Sequence, residues 1–365
     1  MQYLDDYRDK DRIQTLVRAI QKETVHSWNI MEVCGGQTHS IARYRIEEML
    51  PSLIRFLHGP GCPVCVTPEE IINHAITIAR KPNVIFTSFG DMIRVPGSDS
   101  DLLQAKAQGA DVRILYSPLD AVELAAVHPE KEIVFFAIGF ETTIPIHLMA
   151  LKEAVRRGLK NFSLLCSFFA VPPAIEMILS QPDNRVDAFL AAGHVCAITG
   201  YEDYHRLVAE YKKTIVVTGF EPADLLYGIY KSILQLERGE AKVENAYKRI
   251  VQETGNKEAR LLMDTFLEPA DKEWRGIGSF PAGGFSLQKK YATFDAAIKF
   301  PVLIKEKNEK PDMRCIAGEI MKGNSRVADC TYFGSVCNPA HPIGPSMVSE
   351  EGVCSAYYNY QTISA

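Results

Sequence analysis

EIVFFAIG, residues 132–139, runs directly into GFETT, residues 139–143. The run is short, apolar and rich in β-branched and aromatic side chains, as a strand buried on both faces of a parallel sheet should be. Its closing glycine permits a tight turn or the close approach of a ligand. A segment with helical spacing follows near 145–157. Strand, polar turn and returning helix together make the repeating unit of an α/β protein.

The unit recurs in both directions. Downstream, FSLLCS (162–167), VDAFLAAG (186–193) and TIVVTG (214–219) alternate with helical segments near 172–181, 200–212 and 222–236. Upstream, WNIMEV (28–33), LIRFL (53–57), NVIFTSF (83–89) and VRILYS (112–117) are the strands, and PEEIINHAITIAR (68–80), DLLQAKAQGA (101–110) and LDAVELAAV (119–127) the helices. The pattern predicts an α/β fold with two similar lobes, each a parallel sheet flanked by helices, around a cleft. A helical segment over 1–24 precedes them; the lobes span 25–128 and 129–237. After residue 237 a helical stretch (240–265) leads into chain poor in strand signals and rich in Gly, Pro and Cys. Residues 238–365 are therefore expected to form a mostly helical or irregular domain that something other than a core must staple.

Open parallel sheets bind ligands outside the carboxyl ends of their strands. Here those ends run into CGGQTH (34–39), HGPGCPVC (58–65), FGDM (89–92) and SPLDA (117–121), then into GFETT, SFFAVPPA (167–174), GHVCAITG (193–200) and GFEP (219–222). Cys, His, Glu and Asp on so many loaded edges predict one shared cleft, with His194, after Gly193 at a strand end, facing it.

The net charge of −5 argues against a nucleic-acid binder or a polybasic membrane-surface protein, both of which require a basic patch. No apolar run approaches the roughly 20 residues of a membrane span, and the charged N-terminus is not a secretory signal. A cytoplasmic protein is expected. In that reducing setting, grouped cysteines are more often metal ligands or redox groups than structural disulfides.

The chain has nine cysteines, in two groups with Cys166 and Cys196 between them. Cys34 ends a buried strand before two glycines and His39. Cys62-Pro-Val-Cys65 is a C-x-x-C pair at the foot of a helix, suited to dithiol–disulfide chemistry. A zinc ribbon needs a second such pair, which the chain lacks; Cys34, His39, Cys62 and Cys65 together are a possible four-ligand set. Cys315, Cys330, Cys337 and Cys354 form the second group, compatible with tetrahedral zinc or a [4Fe–4S] cluster. No phosphate-binding glycine motif occurs. Cys166 reads as core, and His74, His128 and His205 as surface residues.

The blocks MEVCGGQTHSI, HGPGCPVCVTP, FGDMIRVPGS, AIGFETTIP, GHV, GFEPADLL, WRGIG and DCTYFGSVCNP…GPSMVSEEGVCSAYY resemble, in order and over nearly the whole chain, the HypD family of hydrogenase maturation factors. The resemblance implies two α/β lobes around a cleft and a third domain holding a [4Fe–4S] cluster. It implies an assembly scaffold, rather than a conventional turnover enzyme, for the Fe(CN)2CO unit of [NiFe]-hydrogenase. The implied partners are a small HypC-type maturation protein and HypE- and HypF-type proteins that deliver cyanide. Carried over by position, Cys34 resembles the thiolate that holds the transient iron beside a partner cysteine, with His39 nearby. Cys62 and Cys65 resemble the redox pair; Cys315, Cys330, Cys337 and Cys354 match the cluster ligands; Glu141 and His194 match polar cleft positions. The chain departs from the family at Ala317 and Ser346, where Cys is common, at Phe168, where His is common, and at Arg45, where Gly is frequent. A free-standing iron–sulfur thiol–disulfide oxidoreductase is the alternative reading.

Overall fold

The computed structural model describes residues 7–301 and 314–360. Positions 1–6 of the expected N-terminal segment, and 302–313 and 361–365 of the expected C-terminal domain, lie outside the described residues. The expected α/β architecture is present: two sheets, largely parallel, are flanked by helices.

The first sheet has the order β2-β1-β7-β8-β9, comprising Ile54–His58, Trp28–Glu32, Ala188–Ala192, Thr214–Thr218 and Val243–Asn245, all parallel. The second has the order β10-β11-β6-β5-β3-β4, comprising Leu267–Trp274, Gly278–Leu287, Phe162–Phe169, Glu132–Gly139, Val84–Ser88 and Val112–Ile114. Its last four strands are parallel, and β10 and β11 add an antiparallel hairpin against β6.

The sheets are not built from consecutive quartets of strands as the sequence pattern suggests. β1 and β2 pair in one sheet, β3 to β6 form the parallel part of the other, and the chain then returns for β7 to β9. Every fully buried parallel strand reads as the same apolar run, so composition records burial but not the neighbour.

The segment after residue 237 also differs from expectation. Only Lys257–Phe266 of the expected 240–265 helix is helical, and Val243–Asn245 joins the first sheet. LEPADKEW and GSFPAGGFSL, which carry little strand signal, form β10 and β11. β10 is an edge strand, a position that tolerates Pro269. Pro281 lies where the register slips between Ala270 and Lys272, a bulge that tolerates it. Beyond this hairpin the chain is irregular, with short helical turns around the cysteines.

The helix Lys10–Glu23 is capped by Asp9, which accepts from the Arg12 N–H at 2.8 Å. It lies along helix Pro222–Glu237 and buries Ile20 among Ile229 and Ile233. The core that matters for function lies where the two sheets' carboxyl ends converge. Cys34, Cys62 and Cys65 pack there with Phe140, Phe169, Ala192 and Trp274, from both sheets and the hairpin.

Candidate functional site

Cys34 follows β1 by two residues and caps helix Gly35–Arg43 with extended backbone. The HGPGC loop after β2 lies directly on it: Gly35 N–H donates to the Gly61 carbonyl at 2.8 Å, and a Cβ at Gly61 would sit 2.4 Å from the Cys34 backbone. Glycine at 61 is thus a requirement of close approach. On the other side, a Cβ at Gly35 would meet Glu351 of the C-terminal region at 2.6 Å. Three segments distant in sequence enclose one sulfur.

The partner of that sulfur is His194, whose Nε2 lies 3.1 Å from Cys34 Sγ. His194 enters on the short helix Gly193–Thr199 after β7, and its ring stacks on Phe220 with centroids 4.7 Å apart. Burial lowers its pKa to about 4, so the imidazole is neutral. Burial likewise pushes the Cys34 thiol up, reinforced by the Glu351 and Glu32 carboxylates. The resting pair is therefore thiol and neutral imidazole, and a metal binding Cys34 must release a proton.

Beneath Cys34 lies a buried polar network. The Glu32 carboxylate accepts from Cys34 N–H at 2.8 Å, from the Thr38 hydroxyl, and from His58 Nδ1 at 2.8 Å. His58 Nε2 lies 2.6 Å from the Tyr357 hydroxyl, which donates to Glu47 at 2.8 Å. Burial works against charge on His58, but the Glu32 and Glu47 carboxylates outweigh it and raise its pKa to about 9. At the rim, Ser349 donates to Asp91 at 3.1 Å, and burial next to Asp91 raises the Glu351 carboxyl.

Cys62 and Cys65 are joined by a disulfide, with their Cα atoms 5.2 Å apart. The bond sits at helix Pro63–Val66 and is nearly sealed, the residues being 3% and 2% exposed. His39 is elsewhere: its Nε2 lies 3.1 Å from the Tyr360 hydroxyl. The imidazole beside Cys34 belongs to His194, and among the described residues no three Cys, His, Asp or Glu side chains converge on a single-ion site. Glu141 is buried in the second sheet's carboxyl edge and accepts from Val171 N–H at 2.9 Å, while its other oxygen has no hydrogen-bond partner. Burial raises it to about 7.

Cys315, Cys330, Cys337 and Cys354 line one pocket. Burial raises the Cys354 thiol well above its ordinary value, and the other three thiols raise it further, so the four act on one another. The rest of the lining is largely apolar, including Ile320, Phe333 and Met347. A Cβ at Gly344 would lie 2.4 Å from Cys315 Sγ, and Ile343 N–H points at Cys337 Sγ at 3.4 Å. A zinc ion needs its thiolates within about 2.3 Å of a single point. Four thiols lining one pocket, with an N–H directed at one of the sulfurs, are a donor set of the kind that could hold a [4Fe–4S] cluster. Ala317 and Ser346 line the same pocket, whose cysteines number four.

Glu32, His58, Phe220, Glu351 and Tyr357 were given no role by the sequence. One local signal was available: Glu32 stands inside an apolar strand, and a buried carboxylate must find partners. The others join the site only through the fold.

A family model described as HypD, hydrogenase formation hypA family, matches residues 11–361. The hydrogenase maturation factor HypD of Rhizobium leguminosarum bv. viciae is 43% identical over 370 residues, covering 99% of this chain and 96% of that protein. The factor of the same name from Escherichia coli (strain K12) is 41% identical over 369 residues, covering 99% and 98%. That from Rhodobacter capsulatus is 43% identical over 352 residues, covering 96% and 93%.

Proposed function

The chain belongs to the HypD family of hydrogenase maturation factors, and on that premise we propose that it is the cytoplasmic scaffold on which the Fe(CN)2CO unit is assembled. The iron is cargo, held by the Cys34 thiolate together with a cysteine of a small HypC-type partner. HypE- and HypF-type proteins supply the cyanide. The observation that carries this reading is the Cys34 sulfur, 3.1 Å from His194 and backed by the loop that bears Cys62 and Cys65.

The residues divide the work as follows. Neutral His194 hydrogen-bonds the Cys34 sulfur and orients it, Phe220 holds the imidazole ring in place, and the thiol proton leaves to solvent as the metal–sulfur bond forms. Glu32 fixes the Cys34 backbone through its N–H. Cys62 and Cys65 store two electrons and two protons as a dithiol and release them on re-forming the disulfide. Cys315, Cys330, Cys337 and Cys354 would hold a [4Fe–4S] cluster, which supplies single electrons.

The near-complete burial of Cys62 and Cys65 weighs against a free-standing oxidoreductase, whose dithiol must reach a disulfide on another protein. Co-expression with the partner proteins, anaerobic purification and infrared spectroscopy in the cyanide and carbonyl stretching region test the scaffold. Wild-type protein should carry those bands, and Cys34→Ser should lose them while keeping its iron and sulfide. Bands retained in Cys34→Ser, or absent from wild type in a competent host, would overturn the assignment.

A further inference from the structure

The turn WRGIG, residues 274–278, joins β10 to β11 and touches both cysteine groups. Trp274 is fully buried in the core that contains Cys62 and Cys65. The Arg275 N–H donates to the Val66 carbonyl at 2.8 Å, one residue beyond the disulfide. Gly276 faces the other way. A Cβ at Gly318 would lie 2.2 Å from the Gly276 carbonyl oxygen, so the turn rests on helix Ala317–Met321, directly after Cys315.

The Arg275 guanidinium lies in this seam. It donates to the Pro96 carbonyl at 3.1 Å and stands 3.7 Å from the Glu69 carboxylate, with its side chain 21% exposed. Burial opposes its charge, while Glu69, the Cys315 sulfur and Glu70 favour it. A guanidinium does not deprotonate in a protein, so a fixed positive charge stands on the turn that touches both redox-capable groups, with the Cys315 sulfur within its field. Such a charge favours the more negative, reduced form of a neighbouring cluster, since net charge is one of the levers that set a cluster's potential.

We propose that the Arg275 guanidinium, carried on the turn that holds the Cys62–Cys65 pair and the four-cysteine pocket in register, raises the reduction potential of the cluster held there. This rests on the cluster reading above. The backbone hydrogen bond to Val66 and the Gly276–Gly318 contact supply the register; the guanidinium supplies the charge.

The test uses the full chain purified anaerobically as wild type, Arg275→Met, Arg275→Lys and Glu69→Gln. Iron and acid-labile sulfide are measured first. The cluster's midpoint potential is then followed by electron paramagnetic resonance during redox titration. Arg275→Met should shift the one-electron equilibrium about tenfold toward the oxidised form, 59 mV lower. Arg275→Lys should recover most of that shift, and Glu69→Gln should move the potential in the opposite direction.

Loaded Arg275→Met protein whose equilibrium moves less than twofold overturns the inference and leaves the cluster reading intact. Wild-type protein without iron and sulfide overturns both. If Arg275→Met does not load, Glu69→Gln decides: a potential above wild type supports the role, and an unchanged one defeats it.

Discussion

The Tyr357 hydroxyl lies 2.6 Å from His58 Nε2, joining the helix Val353–Tyr360 to the end of β2. That helix also carries Cys354, so one element serves the cysteine pocket and the network beneath Cys34. Removing the hydroxyl takes one hydrogen-bond partner from the buried His58 imidazole and one from the Glu47 carboxylate. Leaving such groups unsatisfied costs roughly 1–3 kcal/mol. Tyr357→Phe should lower unfolding stability by about that amount in urea titrations. A loss below about 0.5 kcal/mol, the range of an ordinary surface substitution, would show that the contact holds nothing together.

The charge on His58 gives stability a pH signature. Its folded pKa, about 9, is raised above the ordinary 6.5. A raised pKa contributes its full stability below about pH 6.5 and loses it as pH climbs through 9. The loss is on the order of 3 kcal/mol at the stated shift. Unfolding midpoints of wild type and His58→Gln, compared from pH 6 to pH 10, should converge as the pH rises. A constant gap between the two would contradict a charged His58.

Cys34 should be a sluggish nucleophile when no metal is bound. Burial and the Glu351 and Glu32 carboxylates keep it protonated, and only the thiolate is alkylated. At pH 8 iodoacetamide should label it roughly tenfold or more slowly than an unfolded-chain cysteine, since each unit of pKa removes about tenfold of the thiolate. Mass spectrometry of the Cys34 peptide, with and without urea, measures the ratio. Equal rates would mean that the thiol is free and ionised.

Arg45 adopts φ 51°, in the left-handed region where glycine carries no penalty. Its ion pair with Glu48 is exposed and contributes little. Arg45→Gly should therefore stabilise the fold by roughly 0.5–1 kcal/mol, read as a raised urea midpoint at unchanged slope. A lowered midpoint would show that the Arg45 side chain contributes more than its backbone costs.

The sequence alone determined the strand–turn–helix alternation, the loaded strand ends and the two groups of cysteines. Those are local properties: an apolar run such as EIVFFAIG records its own burial, and the glycines at 59 and 61 record their own crowding. The same locality explains β10 and β11, whose edge position and bulge made a strand out of residues with little strand character. Tertiary structure decided the rest. It split the strands between two sheets by a return crossing, placed His194 rather than His39 against Cys34, and brought Glu32, His58 and Tyr357 into one network across about three hundred residues. No short stretch encodes those pairings. They follow from which strands hydrogen-bond as neighbours and which buried polar groups can satisfy one another, and both are settled by the fold as a whole.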